Sequence, residues 1–301
     1  MIECRPKHTI PHLRVSMSHV HIRTMLWLFI LLVAPGTFQA VASEEIWQID
    51  RFWSGPRKPM VDISYGMSSL RHRLFEGELD GVGAVEVRLG FFSARPETTN
   101  VAYLSDKYLY FNYSSSDLFG WALDPAKTKS EISRFGSGGR SGYAYDFTAS
   151  YLYPYTQTSL QWVRMNTGRP NGLSVKNVAI LDRYEGTFRF SASAEAGIAF
   201  GFGHVVAVRA GYEVMAIYPR HVFWPWVGSY GIAMVGMGAI SHFGKDIVEA
   251  SPTLGPIIYT LLRGGLAYGY YLLVRDNQYW PFGSETPMTA DGFRFGMTLT
   301  F

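Results

Sequence analysis

Eight histidines, one cysteine and 24 acidic residues are the chain's whole supply of metal ligands, activating bases and proton carriers. Four of the histidines (His8, His12, His19, His21) fall within the first 24 residues, with Cys4. The other four, His72, His204, His221 and His242, make no metal-ligand spacing with one another, so no metal and no cofactor is expected. Hydrolytic chemistry needs a nucleophile within reach of a base. Ser241-His242 are adjacent, but on a strand adjacent side chains point to opposite faces. His72 with Ser68 or Ser69 is the other His–Ser candidate, and no paired carboxylates support it. The fragments Gly81-Val-Gly83, Gly201-Phe-Gly203 and Gly236-Met-Gly238 lack the third glycine of a phosphate-cradling loop. Catalytic residues are therefore not assigned.

The composition that must position these groups is unusual. Aromatic residues make up 16% of the 301 residues and charged ones only 17%, below the roughly 25% of an average soluble domain. A chain this apolar is not intrinsically disordered, and one cysteine excludes a disulfide scaffold. A net charge of +3 without a basic block gives no case for nucleic acid. Residues 1–24 carry Arg5, Lys7, Arg14 and Arg23, and the apolar run Met25–Ala34 follows. Ala40-Val41-Ala42 then offers the small-x-small pattern of a cleavage site. We expect 1–42 to be a signal peptide and 43–58 a periplasmic segment. Loss of 1–42 removes four basic residues and one acid, so the exported chain is neutral and free of cysteine.

The chain ends Gly292-Phe-Arg-Phe-Gly-Met-Thr-Leu-Thr-Phe301. Phe293, Phe295, Met297, Leu299 and Phe301 alternate with Arg294, Gly296, Thr298 and Thr300, a strand with one apolar and one polar face. This ending resembles the C-terminal assembly signal of bacterial outer-membrane β-barrels, with Arg294, Gly296, Leu299 and Phe301 matching it in order. In its ending and strand pattern the chain is similar to the OmpA/OmpW-like group of small barrels. The resemblance implies an all-β, closed antiparallel up-and-down transmembrane barrel over 59–301. It also implies the outer membrane as location, outer-membrane lipid and lipopolysaccharide as surroundings, and the barrel-assembly machinery as partner.

Six further segments alternate in the same way: 60–70, 82–92, 142–155, 186–200, 204–218 and 262–274. Their charges share the polar phase, as an apolar membrane requires of mid-strand charge. In 101–113 and 159–165, Lys107 and Arg164 instead share the apolar phase, and 230–242 lacks clear alternation. Ten strands are expected, with eight or twelve as alternatives. A helix over the charge-free stretch 221–244 is the main competing reading. The polar phase directs Asp62, Glu86, Arg88, Asp146, Arg189, Glu195, Arg209, Glu213, Arg263 and Arg294 into one lumen. In a barrel this small they are expected to pair and fill it, with a narrow polar path as the alternative. Tyr143, Tyr145, Tyr151, Tyr153, Tyr155, Trp162, Trp224, Trp226 and Trp280 suit girdles at the membrane interfaces. The function expected is structural, adhesive or narrow-pore. The alternatives are a lipid-modifying enzyme and a soluble exported barrel holding an apolar ligand.

Overall fold

The computed structural model describes residues 57–119, 127–147, 149–170, 172–203 and 205–301. The expected signal peptide and nearly all of the 43–58 segment lie outside these residues, as does His204. Eight antiparallel strands close into one barrel in sequence order: β1 Lys58–Arg71, β2 Val82–Thr98, β3 Val101–Ser115, β4 Lys129–Asp146, β5 Ser150–Gly168, β6 Phe188–Phe202, β7 Val206–Ile217 and β8 Met288–Thr300. β8 pairs with β1 from Met60↔Thr300 to Arg71↔Thr289, so no strand edge is left open. Three short turns, after β2, β4 and β6, lie at one end, and Gly203 takes a left-handed φ of 59° in the last of them. The four long connections lie at the other end.

The closed barrel holds, but the strand count is eight, not ten. Residues 230–242 and 262–274 are not strands. They belong to α2 (Phe223–Ala250) and α3 (Gly255–Asp276), which follow the short α1 (Val175–Asp182) in the β5–β6 connection. The alternation of Leu266, Tyr268, Tyr270 and Leu272 coexists with a helical spacing, Tyr259–Arg263–Leu266–Tyr270–Val274. Tyr259 and Val274 on that spacing are buried. The segment 142–155 is a hairpin rather than one strand. Its odd-numbered aromatics lie outside on β4 and inside on β5, because cross-strand partners such as Tyr145↔Leu152 share a face. The glycine-rich 136–139, outside every expected strand, lies within β4, where Gly138 leaves room for the Tyr108 ring.

The helical pair is a single insertion between β7 and β8, which pair with each other directly from Ile217↔Met288. It starts and ends at the long-connection end and runs down the outside of the barrel wall. Its tip reaches the short-turn end, where the Tyr145 hydroxyl donates to the Thr253 carbonyl at 2.6 Å. Small residues allow the close approach: Gly264 faces Ala196 and Thr156, and Gly236 and Gly244 face Leu266 and Tyr259 of the partner helix. With the insertion assigned this way, every connection after an odd strand is long and every one after an even strand is short.

Candidate functional site

The barrel interior is the most constrained part of the molecule. Strand alternation sends every second side chain inward, and among the described residues ten buried charges lie there. Five are acids (Asp62, Glu86, Asp106, Glu195, Glu213) and five are arginines (Arg88, Arg134, Arg140, Arg209, Arg294). They form one connected chain. Arg294 donates to Glu213 at 2.6 and 2.8 Å, and Arg134 bridges Glu213 at 3.0 Å to Glu86 at 3.2 Å. Arg88 donates to Glu86 at 2.6 Å and lies 3.5 Å from Glu195. Arg209 holds Glu195 at 2.9 Å and grips Asp62 through two nitrogens at 2.8 and 2.9 Å. Arg140 joins Asp62, at 3.6 Å, to Asp106, at 2.7 Å.

Neutral groups complete the network. Tyr155 donates to Glu195 at 2.6 Å, Thr298 to Asp62 at 2.6 Å and Asn112 to Glu86 at 3.2 Å. The Tyr110 hydroxyl donates to Gln161. Arg88 stacks over Tyr108 and Arg140 over Tyr155, at 4.8 and 5.3 Å from the ring centres. Apolar clusters close both ends. Leu104, Ala144, Tyr153 and Ala199 pack toward the short turns. Leu70, Ile132, Met165, Leu181, Tyr184 and Met288 pack toward the long connections, with α1 among them. Ser174 caps α1, accepting from the Asn177 N–H at 3.2 Å.

Seven of the ten lumen charges expected from sequence are in this network: Asp62, Glu86, Arg88, Glu195, Arg209, Glu213 and Arg294. Three are not. Arg189 keeps the inward phase but is only half-buried, near the start of β6. Asp146 is exposed at the last position of β4, beyond the lumen. Arg263 lies on α3 outside the wall, where it donates to Ser241 at 2.8 Å and Tyr259 at 2.7 Å. Asp106, Arg134 and Arg140 take their places. Asp106 was legible from its position opposite in phase to Leu109 and Phe111. Arg134 and Arg140 lie between 113 and 142, which none of the expected strands covers. The girdle loses Tyr151, Tyr153 and Tyr155, which share the inward phase of β5, and Trp224 and Trp226, which lie on α2.

The expected assembly residues divide between the faces of β8. Arg294 points inward to Glu213, and Gly296 faces the lumen between Ser64 and Arg209. Leu299 shares the outward phase of Phe293, Phe295 and Met297, and Phe301 is exposed. The two His–Ser candidates come apart. Ser241-His242 are on a helix rather than a strand, and Ser241 accepts from Arg263. His72 accepts the Leu74 N–H through Nδ1 at 3.3 Å and packs edge-on against Tyr184. Among the described residues no group of three or more His, Cys, Asp or Glu is placed to hold a metal.

No protein-family model and no curated protein matches this chain. Among solved structures, Neisserial surface protein A (NspA) is similar at 11% identity and a TM-score of 0.36, over 81% of this chain and 97% of that one. Ail, the attachment invasion locus protein of Yersinia pestis, is similar at 9% identity and a TM-score of 0.31, over 81% and 98%. Ail in complex with the heparin analogue sucrose octasulfate gives 8% identity and 0.32.

Proposed function

We propose that this chain is an integral outer-membrane β-barrel with a sealed lumen, whose work is structural or adhesive rather than transport. The observation that carries the reading is the inside-out distribution of side chains. The interior holds ten buried charges, whereas the outer wall exposes Leu109 (68%), Phe111 (57%), Ile198 (55%) and Phe295 (49%). A soluble barrel would expose an apolar surface of this extent to water, and an apolar patch so large marks contact with another phase. A transmembrane barrel needs this arrangement, because lipid tails do not solvate charge. The short turns would then face the periplasm and the long connections the exterior.

α2 and α3 fit the same setting. They are 28 and 22 residues long, enough to cross the apolar layer. α3 is apolar enough to span a membrane, and it exposes Ile257, Ile258, Leu261 and Leu262. Outer-membrane lipid and lipopolysaccharide would surround the wall. The barrel-assembly machinery would meet β8 through the motif Arg294, Gly296, Leu299 and Phe301. The sealed interior supports a solid support over a pore.

Two measurements test this. The protein should stay with membranes through an alkaline wash and migrate differently on gels with and without boiling. Reconstituted in planar bilayers, it should give no conductance steps. Recovery in the soluble fraction overturns the membrane reading, and regular open steps overturn the sealed lumen.

A further inference from the structure

A cleft of about 570 Å³ opens at the long-connection end, where the last turns of α3 meet β1, β7 and β8. Strand register sets its height. The pair Met67↔Phe293 belongs to the apolar wall, and the next outward pairs beyond it are Ser69↔Asp291 and Arg71↔Thr289. β7 contributes Tyr212 and Val214 to the lining. α3 contributes Tyr268 and Tyr271, whose ring centres lie 6.0 Å apart with planes inclined by 34°. Tyr268 is 47% exposed, so its ring is accessible.

Each cation lining the cleft has a partner. Arg71 lies 3.6 Å from Asp291, and Arg73 and Arg275 lie 3.0 and 3.8 Å from Asp276. Asp291 also accepts the Tyr212 hydroxyl at 2.5 Å. Cations matched in this way do not select a ligand by its charge. What they leave open is hydrogen bonding. Each guanidinium carries five N–H donors. The side chains of Arg71, Arg73 and Arg275 are 68%, 62% and 49% exposed, and that of Asp276 is 45% exposed. Exposed ion pairs are weakly held, so a ligand can share their donors and acceptors.

We infer that this cleft binds an uncharged stretch of oligosaccharide. A sugar ring presents hydroxyls, each a donor and an acceptor, around its rim and C–H groups on its faces. The arginines and Asp276 offer planar donors and an acceptor to the hydroxyls. Tyr268 and Tyr271 offer amphipathic rings to the C–H faces. A lipid tail would leave these polar groups unmatched, and a phosphate or sulfate would have to displace Asp276 or Asp291. The volume lies within the range of small-molecule sites. The inference deepens the adhesive reading proposed above and rests on it. Glycolipid headgroups of the surrounding membrane and glycans outside the cell present the same chemistry.

The test is saturation-transfer NMR on the full chain in dodecylphosphocholine, a detergent without sugar. The probes are the neutral disaccharides lactose, maltose and diacetylchitobiose. We expect transfer to the ring protons of at least one of them, unchanged in about 0.5 M sodium chloride, which screens exposed charge. Tyr268→Ala and Asp276→Ala should each weaken binding by about tenfold, the worth of one polar or ring contact. No transfer to any neutral disaccharide overturns the inference, and so does unchanged binding in both variants. Transfer confined to a sulfated disaccharide and lost in salt would show selection by charge, which also overturns it. Displacement of the bound disaccharide by lipopolysaccharide supports the site and assigns the sugar to the surrounding membrane. Retention against lipopolysaccharide supports the site and assigns a glycan outside the cell. Boiling-dependent gel migration reports separately whether each variant has folded, and the alkaline wash whether the membrane reading stands.

Discussion

Asp62 receives two nitrogens of Arg209 and the Thr298 hydroxyl, with Arg88 and Arg140 at 3.8 and 3.6 Å. Three guanidinium groups thus share one carboxylate that is fully buried. Taking that carboxylate away leaves cations in a closed interior, where removal of one partner of a buried pair costs about 3–5 kcal/mol. Asp62→Ala should lower barrel stability by that order, read as a lower temperature for the boiling-dependent gel shift. An unchanged temperature would mean that Glu86, Asp106 and Glu195 compensate fully. Seven members of this network could be read from the chain, because period-2 phase alone assigns a strand residue to one face. Arg263 shows the limit of that logic. It obeys the phase of a strand that does not exist.

The helical pair is the element that sequence patterning placed wrongly. Tyr, Gly and Leu at alternate positions in 262–274 satisfy the strand period while Tyr259, Arg263, Leu266 and Tyr270 satisfy the helical one. The stretch 221–244 holds five glycines, which disfavour a helix, yet Gly236 and Gly244 are where the two helices touch. Intrinsic propensity is a weak prior once packing rewards a small side chain. Since Ile217 and Met288 already pair, a two- to five-residue turn is long enough to join β7 and β8. Replacing residues 219–286 by such a turn should leave a barrel that folds and shows boiling-dependent migration. Failure to fold would make the pair an obligatory part of the wall.

The long connections behave as one platform. Glu76 of the first connection takes Lys176 at 2.7 Å, and its backbone N–H and carbonyl both bond the Asn177 side chain, all in the third. Glu78 takes Lys127 of the second at 2.7 Å, and Arg73 reaches Asp276 at 3.0 Å. Arg183 meets Glu285, and Tyr184 accepts the Met288 N–H at 3.0 Å. Latched connections suit an adhesive surface, because a partner then binds without first ordering them. His72 stands among them, between Tyr184 and Thr286. Burial holds its imidazole below the ordinary value of 6.5, with the Arg183 charge adding to the effect. A histidine depressed on folding stabilises the folded state above its unfolded value and loses that contribution as pH falls below it. Protonation also removes the Nδ1 acceptor that holds the Leu74 N–H. Protease cleavage of 72–81 should therefore rise as pH drops from 7 to 5, and His72→Asn should flatten that dependence.

Together with the resemblance of the ending to outer-membrane barrels, the alternation of apolar and polar residues, with most mid-strand charge on one phase, pointed to a closed barrel with a charged interior. That pattern is local: each strand residue's face follows from its neighbours two positions away. Three things lay beyond it. The course of β4 and β5 depended on a turn between them across which odd-numbered residues change faces, and only pairing partners reveal that. The helical pair depended on a wall of small residues, Thr156, Ala192, Ala194 and Ala196, contributed by two other strands. The cleft at the end of α3 depended on register across three strands, β7, β8 and β1. The low charge content and aromatic excess of the chain thus divide between two surfaces, a lumen where charges pair and a wall where rings and aliphatic chains face outward. Which side chains meet across strands is a non-local property, and the closed fold alone decides it.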